Sequence, residues 1–139
     1  MGKSRGMEPV RNAAVEIRPF AFPLGAEVRC GDVRGLNEDT RAVIRRAWLD
    51  HLVILIRGQD LVADDLVEFV KLFGEVDLAT PLSELPPGVR ERPNPYISMV
   101  SNIRDGGMPI GTLGDGEVVW HSDMSYHEQP ISASMLCAV

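Results

Sequence analysis

Trp120-His121-Ser122-Asp123-Met124-Ser125-Tyr126, near the end of a 139-residue chain, sets a histidine two residues before an aspartate. Read as a strand over 117–123, the stretch turns side chains two apart the same way, so His121 and Asp123 project into one space. An imidazole nitrogen and a carboxylate oxygen at that spacing can fill two adjacent positions on a divalent metal. With a third ligand they form the two-histidine, one-carboxylate set of non-haem Fe(II) oxygenases, which leaves three positions open. The bare pair carries little weight alone. Chance places a histidine two before an aspartate about 0.2 times in a chain of this composition, so a metal site and an incidental pair both stand at this point.

The flanks extend the strand reading. Tyr96–Ile103 is expected as a strand with Tyr96, Ser98, Val100 and Asn102 on one face and Ile97, Met99, Ser101 and Ile103 on the other. Ser132–Val139 is expected as another. Residues 79–116 hold six prolines and six glycines, against eleven in the rest of the chain. The loops they form, 79–95 and 104–116, are long enough to act as lids or cleft walls. Asn102 and Glu117, on or beside the strands flanking the metal strand, and Met124 just after it are the candidate substrate-side residues.

Upstream, residues 15–78 read as compact α/β structure. Val15-Glu16-Ile17-Arg18 alternates, and Ala26–Cys30 is a second short strand closed by Gly31-Asp32. Asn37 caps a helix from about Glu38 to Asp50, with Glu38 and Asp39 suited to its positive end. Leu52-Val53-Ile54-Leu55-Ile56 is a continuous apolar run, read as a strand buried on both faces and stopped by Arg57-Gly58. A second helix is expected from about Ala63 to Phe73, with Gly74 as its stop. Val62 stands where a capping serine or threonine is expected.

Composition bounds the rest. Apolar residues make up 45% and charged residues 24%, as in an ordinary globular domain. No stretch reaches the roughly 18 apolar residues of a membrane span. The net charge of −6 has the wrong sign for a nucleic-acid binder. It is unevenly spread: residues 1–57 carry ten basic and seven acidic groups (+3), and residues 58–139 carry four and thirteen (−9). Cys30 and Cys137 lie far apart and read as two reduced, partly buried thiols, with a disulfide between them as the less favoured alternative. With no apolar secretory segment at the start, a cytoplasmic location is expected. Residues 1–14 read as a mobile leader, and 15–139 as part of one domain.

Other candidates rank lower. Arg90, Arg92 and Arg104 read as solvated loop arginines. Gly111-Thr112-Leu113-Gly114-Asp115-Gly116 lacks the lysine and following helix of a phosphate loop and reads as a turn or lid. His127 falls at a strand end or turn, and His51 closes the first helix, where a histidine suits the negative helix end. No G-x-S-x-G elbow supports a hydrolase.

Taken with Pro130 and Ala133-Ser134-Met135-Leu136-Cys137-Ala138, the Trp120–Tyr126 stretch resembles the iron-binding segment of the TauD/TfdA family of Fe(II)/2-oxoglutarate-dependent dioxygenases. Leu24-Gly25-Ala26-Glu27-Val28 is similar to that family's opening strand. Ile44 through Gln59 is similar to its first helix and buried strand, and Asp65-Leu66 through Phe73-Gly74-Glu75 to its second helix. The resemblance spans residues 24–139 in order.

It implies an α+β chain whose main architecture is a double-stranded β-helix (jelly roll), with two helices on the N-terminal side, cut after the first barrel strands. It implies His121 and Asp123 as two iron ligands, Fe(II) and 2-oxoglutarate as the groups used, and ascorbate as a supporting reductant in vitro. The family's third ligand, a histidine, and the threonine and arginine that hold 2-oxoglutarate follow further downstream. They are expected beyond Val139, so no 2-oxoglutarate ligand is assigned within the chain. The implied reaction hydroxylates a small, anionic organic substrate and releases succinate and carbon dioxide. No nucleic acid or membrane is expected as a partner, and a homo-oligomer or a complementing chain is. The alternative is a noncatalytic fragment or interaction module acting through an exposed jelly-roll edge. A metal-binding jelly roll without oxygenase activity ranks below both.

Overall fold

A computed structural model describes residues 15–79, 94–111 and 120–139. The expected leader at 1–14, Arg90, Arg92, Glu117, most of the 79–95 loop and residues 112–116 of the second loop lie outside the described residues. The chain divides into two compact units, meeting in sequence at Asp60 and Leu61.

In the first unit, β1 (Glu16–Pro19) pairs antiparallel with β2 (Ala26–Arg29), with Ile17 opposite Val28. The connection turns at Gly25, whose φ is +99°. Any Cβ there would stand 2.6 Å from the Phe20 ring, so the position requires glycine twice over. Asp32 then accepts from the Arg34 N–H to start a single 3-10 turn over Val33–Gly35.

Helix α1 (Glu38–His51) begins as expected. Asn37 takes an extended conformation and its Oδ1 accepts from Thr40 N–H at 2.8 Å. Ile44 and Ala47, three residues apart on one helix face, are buried with Ala26, Val28 and Val33 to form the core of this unit. Fully burying Ile44 contributes about 1.5–3 kcal/mol.

The Leu52–Ile56 run departs from expectation. Only β3 (Ile54–Leu55) is a strand, parallel to β2 through Ala26 opposite Ile54 and Glu27 opposite Leu55. Leu52 is lost to the turn out of α1: its φ of 65° lets Val53 N–H reach the His51 carbonyl at 2.8 Å. Nor is the run buried on both faces, because Leu52 and Val53 are exposed and Ile54–Ile56 only half-buried. The sheet order is β1-β2-β3.

In the second unit, α2 (Ala63–Val70) starts at Val62 without a capping side chain on that residue. Asp65 compensates by accepting from the Val62 N–H. The helix ends three residues sooner than expected. Its last turn tightens, with Leu72 N–H on Phe69 and Phe73 N–H on Val70. Val67 and Phe69 are buried, and Phe69 meets Phe73 edge to face at 5.7 Å.

The expected Tyr96–Ile103 strand forms no ladder. Among the described residues of this unit, pairing is confined to the hairpin of β4 (Arg104–Asp105) and β5 (Met108–Pro109). The expected alternation survives without it only as far as Asn102: Ile97, Met99 and Ser101 are half-buried and Tyr96, Ser98, Val100 and Asn102 exposed, but Ile103, expected with the first set, is exposed as well. Gly111 is buried against the Ser101 backbone, where any Cβ would fall 2.4 Å from Ser101 N. Ser132–Val139 is also without a ladder, because a strand needs a paired neighbour and none is present among the described residues. No helix of the described residues is long and apolar enough to cross a membrane.

Candidate metal centre

The stretch from Trp120 is not the strand expected. Trp120, His121 and Ser122 have no ladder, and Asp123–Tyr126 forms a turn in which His127 N–H donates to the Met124 carbonyl at 2.9 Å. Met124 takes a φ of 55°, a left-handed conformation uncommon for any residue but glycine. Its Sδ accepts from Tyr126 Oη at 3.3 Å, and the Tyr126 and His127 rings lie 4.8 Å apart.

His121, two residues before the turn, meets Asp123 at its start, with His121 Nε2 3.0 Å from Asp123 Oδ1. The second carboxylate oxygen, Oδ2, accepts from Ser134 Oγ at 2.8 Å. Both members of the pair are about half exposed. Of the other candidates, Met124 sits half-buried in the same turn and Asn102 is exposed on the 96–102 segment. The His127 ring lies tilted at 45° against that of Tyr126, and His51 lies in the first unit, where its carbonyl accepts from Gly25.

The donor set fits a divalent cation in kind. It offers one ring nitrogen and one carboxylate oxygen, open to solvent, in a half of the chain that carries nine excess negative charges. At 3.0 Å the two groups make a direct hydrogen bond to each other, and two ligands at right angles with bonds of about 2.1 Å would stand about as far apart. Among the described residues no third His, Cys, Asp or Glu joins them. Ser134 was not among the sequence candidates. Nothing in local spacing marks a hydroxyl eleven residues after a carboxylate as its partner.

Comparison with known proteins matches residues 16–139 to the family model "Taurine catabolism dioxygenase TauD, TfdA family". The chain is 31% identical over 131 residues to pentalenolactone F synthase of Streptomyces arenae, covering 90% of this chain and 41% of that protein. It is 25% identical over 122 residues to (S)-phenoxypropionate/alpha-ketoglutarate-dioxygenase of Delftia acidovorans, covering 81% and 37%. Among solved structures, one from Burkholderia xenovorans, assigned as an alpha-ketoglutarate-dependent taurine dioxygenase, matches with a TM-score of 0.48 and 32% identity, over 54% of this chain and 27% of that one. The chain thus spans about two fifths of the length of these curated relatives.

Proposed function

The chain belongs to the TauD/TfdA family of dioxygenases, and from that membership we propose that its protein is an Fe(II)- and 2-oxoglutarate-dependent dioxygenase of a small organic substrate. Family members use Fe(II) and 2-oxoglutarate and act on small molecules, and membership supports a jelly-roll-type dioxygenase fold. In the balanced reaction, 2-oxoglutarate, dioxygen and a substrate C–H bond give succinate, carbon dioxide and the hydroxylated product. One oxygen atom enters succinate and the other enters the product.

The observation that carries this reading is the 3.0 Å approach of His121 Nε2 to Asp123 Oδ1 within the family-matched segment. Among the described residues, His121 and Asp123 are the two proposed metal ligands. Bound Fe(II) supplies the oxygen chemistry. The chain's own part is to hold two donors side by side while leaving the facing side open. Met124, in the adjoining turn, borders the substrate side in this proposal. Asn102 and Glu117 are retained as further substrate-side positions. An anionic substrate, ascorbate as a supporting reductant and a cytoplasmic location complete the proposal.

The test is succinate formation by the complete gene product with Fe(II), ascorbate and 2-oxoglutarate. Asp123→Ala is expected to lower it by about a hundredfold or more. Full activity in that variant, or none in the wild type with a panel of small organic acids, overturns the reading.

A second reading, a noncatalytic module that acts by contact with another chain, is favoured by one observation. Trp120, Tyr126, Leu136 and Val139 are all strongly exposed. Succinate formation by the complete gene product separates the two readings, and light scattering of residues 1–139 tests the association itself. Discrete association without any succinate formation by the complete gene product supports the module.

A further inference from the structure

Asp123 uses its two oxygens differently. Oδ1 lies 3.0 Å from His121 Nε2, and Oδ2 accepts a 2.8 Å hydrogen bond from Ser134 Oγ. A carboxylate turns about its last bond with only a broad, two-fold preference, so left alone its oxygens exchange places. A hydroxyl bond to an ionised oxygen belongs to the stronger, charge-assisted class and removes that freedom. Burial does not do this work here, because Asp123 is half exposed and Ser134 is exposed.

We infer that Ser134 is a positioning residue for the proposed metal site: by occupying Oδ2 it leaves Oδ1 as the one oxygen presented beside the His121 imidazole. The inference rests on reading His121 and Asp123 as ligands. Its consequence is chemical. A carboxylate that binds through one oxygen leaves positions for 2-oxoglutarate and substrate, whereas one that binds through both takes a position they need. Partners of ligating carboxylates of this kind typically change metal affinity 10- to 100-fold when removed.

The experiment uses the complete gene product and two readouts that do not depend on turnover: the Mn(II) dissociation constant, from the resonance signal of free Mn(II), and the visible absorption spectrum of the Co(II)-loaded protein. Ser134→Ala is expected to weaken Mn(II) binding about 10- to 100-fold and to change the Co(II) spectrum, with an unchanged melting temperature. Ser134→Cys, of similar size but a weak donor, is expected to behave like Ser134→Ala and carries the test if the alanine variant does not fold. Ser134→Thr keeps the hydroxyl and is expected to restore both readouts. Wild-type affinity and spectrum in Ser134→Ala and Ser134→Cys, with binding lost in Asp123→Ala, overturn the role of Ser134 alone. Loss in Ser134→Thr equal to that in Ser134→Ala overturns it as well, since the hydroxyl is then not what matters. Wild-type binding in Asp123→Ala overturns the ligand assignment itself.

Discussion

Val33 donates its backbone N–H to Gln59 Oε1 at 3.1 Å, across 26 residues of chain. The same amide closes the gap from its other end, as Gln59 Nε2 donates to the Gly31 carbonyl at 2.9 Å and to that of Arg57 at 3.1 Å. One side chain thus ties the turn after β2 to the segment after β3. It also satisfies the N–H of a residue whose own side chain is buried in the core.

Gln59→Ala removes all three bonds and leaves the Val33 N–H without this partner. A destabilisation of about 1–3 kcal/mol is expected. Gln59→Glu keeps the acceptor for Val33 but sets carboxylate oxygen against the Gly31 and Arg57 carbonyls, so it too is expected to destabilise. Urea unfolding of the three proteins checks this. Equal midpoints would show that the amide bridges contribute nothing net.

Leu52 sits at a backbone conformation that side chains disfavour, exposed to solvent, where α1 turns into β3. Relief of a positive φ is worth about 1–2 kcal/mol, offset by about 0.5–1 kcal/mol of extra glycine entropy in the unfolded chain. Leu52→Gly is therefore expected to be more stable than Leu52→Ala by up to about 1.5 kcal/mol. Thermal unfolding decides the order, and an alanine variant at least as stable refutes the strain.

The two thiols are free but differ in setting. Burial pushes the Cys30 thiol up, while Cys137 is exposed, not partly buried as the sequence suggested. Since the thiolate is the reactive form, Cys137 is expected to react with a disulfide reagent at pH 8 about tenfold faster or more than Cys30. Mass spectrometry of partly labelled protein reads the order directly.

Asp32 is held at about 2, from an ordinary 3.8, chiefly by its side-chain hydrogen bonds with Arg34, with the Arg34 backbone N–H adding to them. A carboxylate depressed on folding stabilises the fold above its unfolded value. The contribution is complete above about pH 4 and is lost as pH falls through about 2. Because the pair is exposed, 1 M salt is expected to move the Asp32 titration back towards the ordinary value. Carboxyl carbon shifts followed from pH 1.5 to 5 test both statements. A midpoint near 4 at low salt contradicts them.

What the sequence determined by itself was what depends on near neighbours. Asn37 and Thr40 lie one turn apart, so the start of α1 was legible. Period-two alternation placed β1 and the two faces of 96–103 up to Asn102, and the closing Gly31-Asp32 marked the end of β2. The histidine and aspartate two residues apart, with the ordered stretches around them, pointed to the family. Tertiary structure decided what depends on distant partners. The apolar run after α1 read as five strand residues, yet only Ile54 and Leu55 pair with β2, because the turn at Leu52 sets where the chain meets Ala26 and Glu27. Strands expected at 96–103 and 132–139 have no ladder, since a ladder is a property of two segments and not of one. Gln59 reaches Val33 across 26 residues and Ser134 reaches Asp123 across eleven. Neither bond has a period or a spacing, so only the folded chain could reveal it.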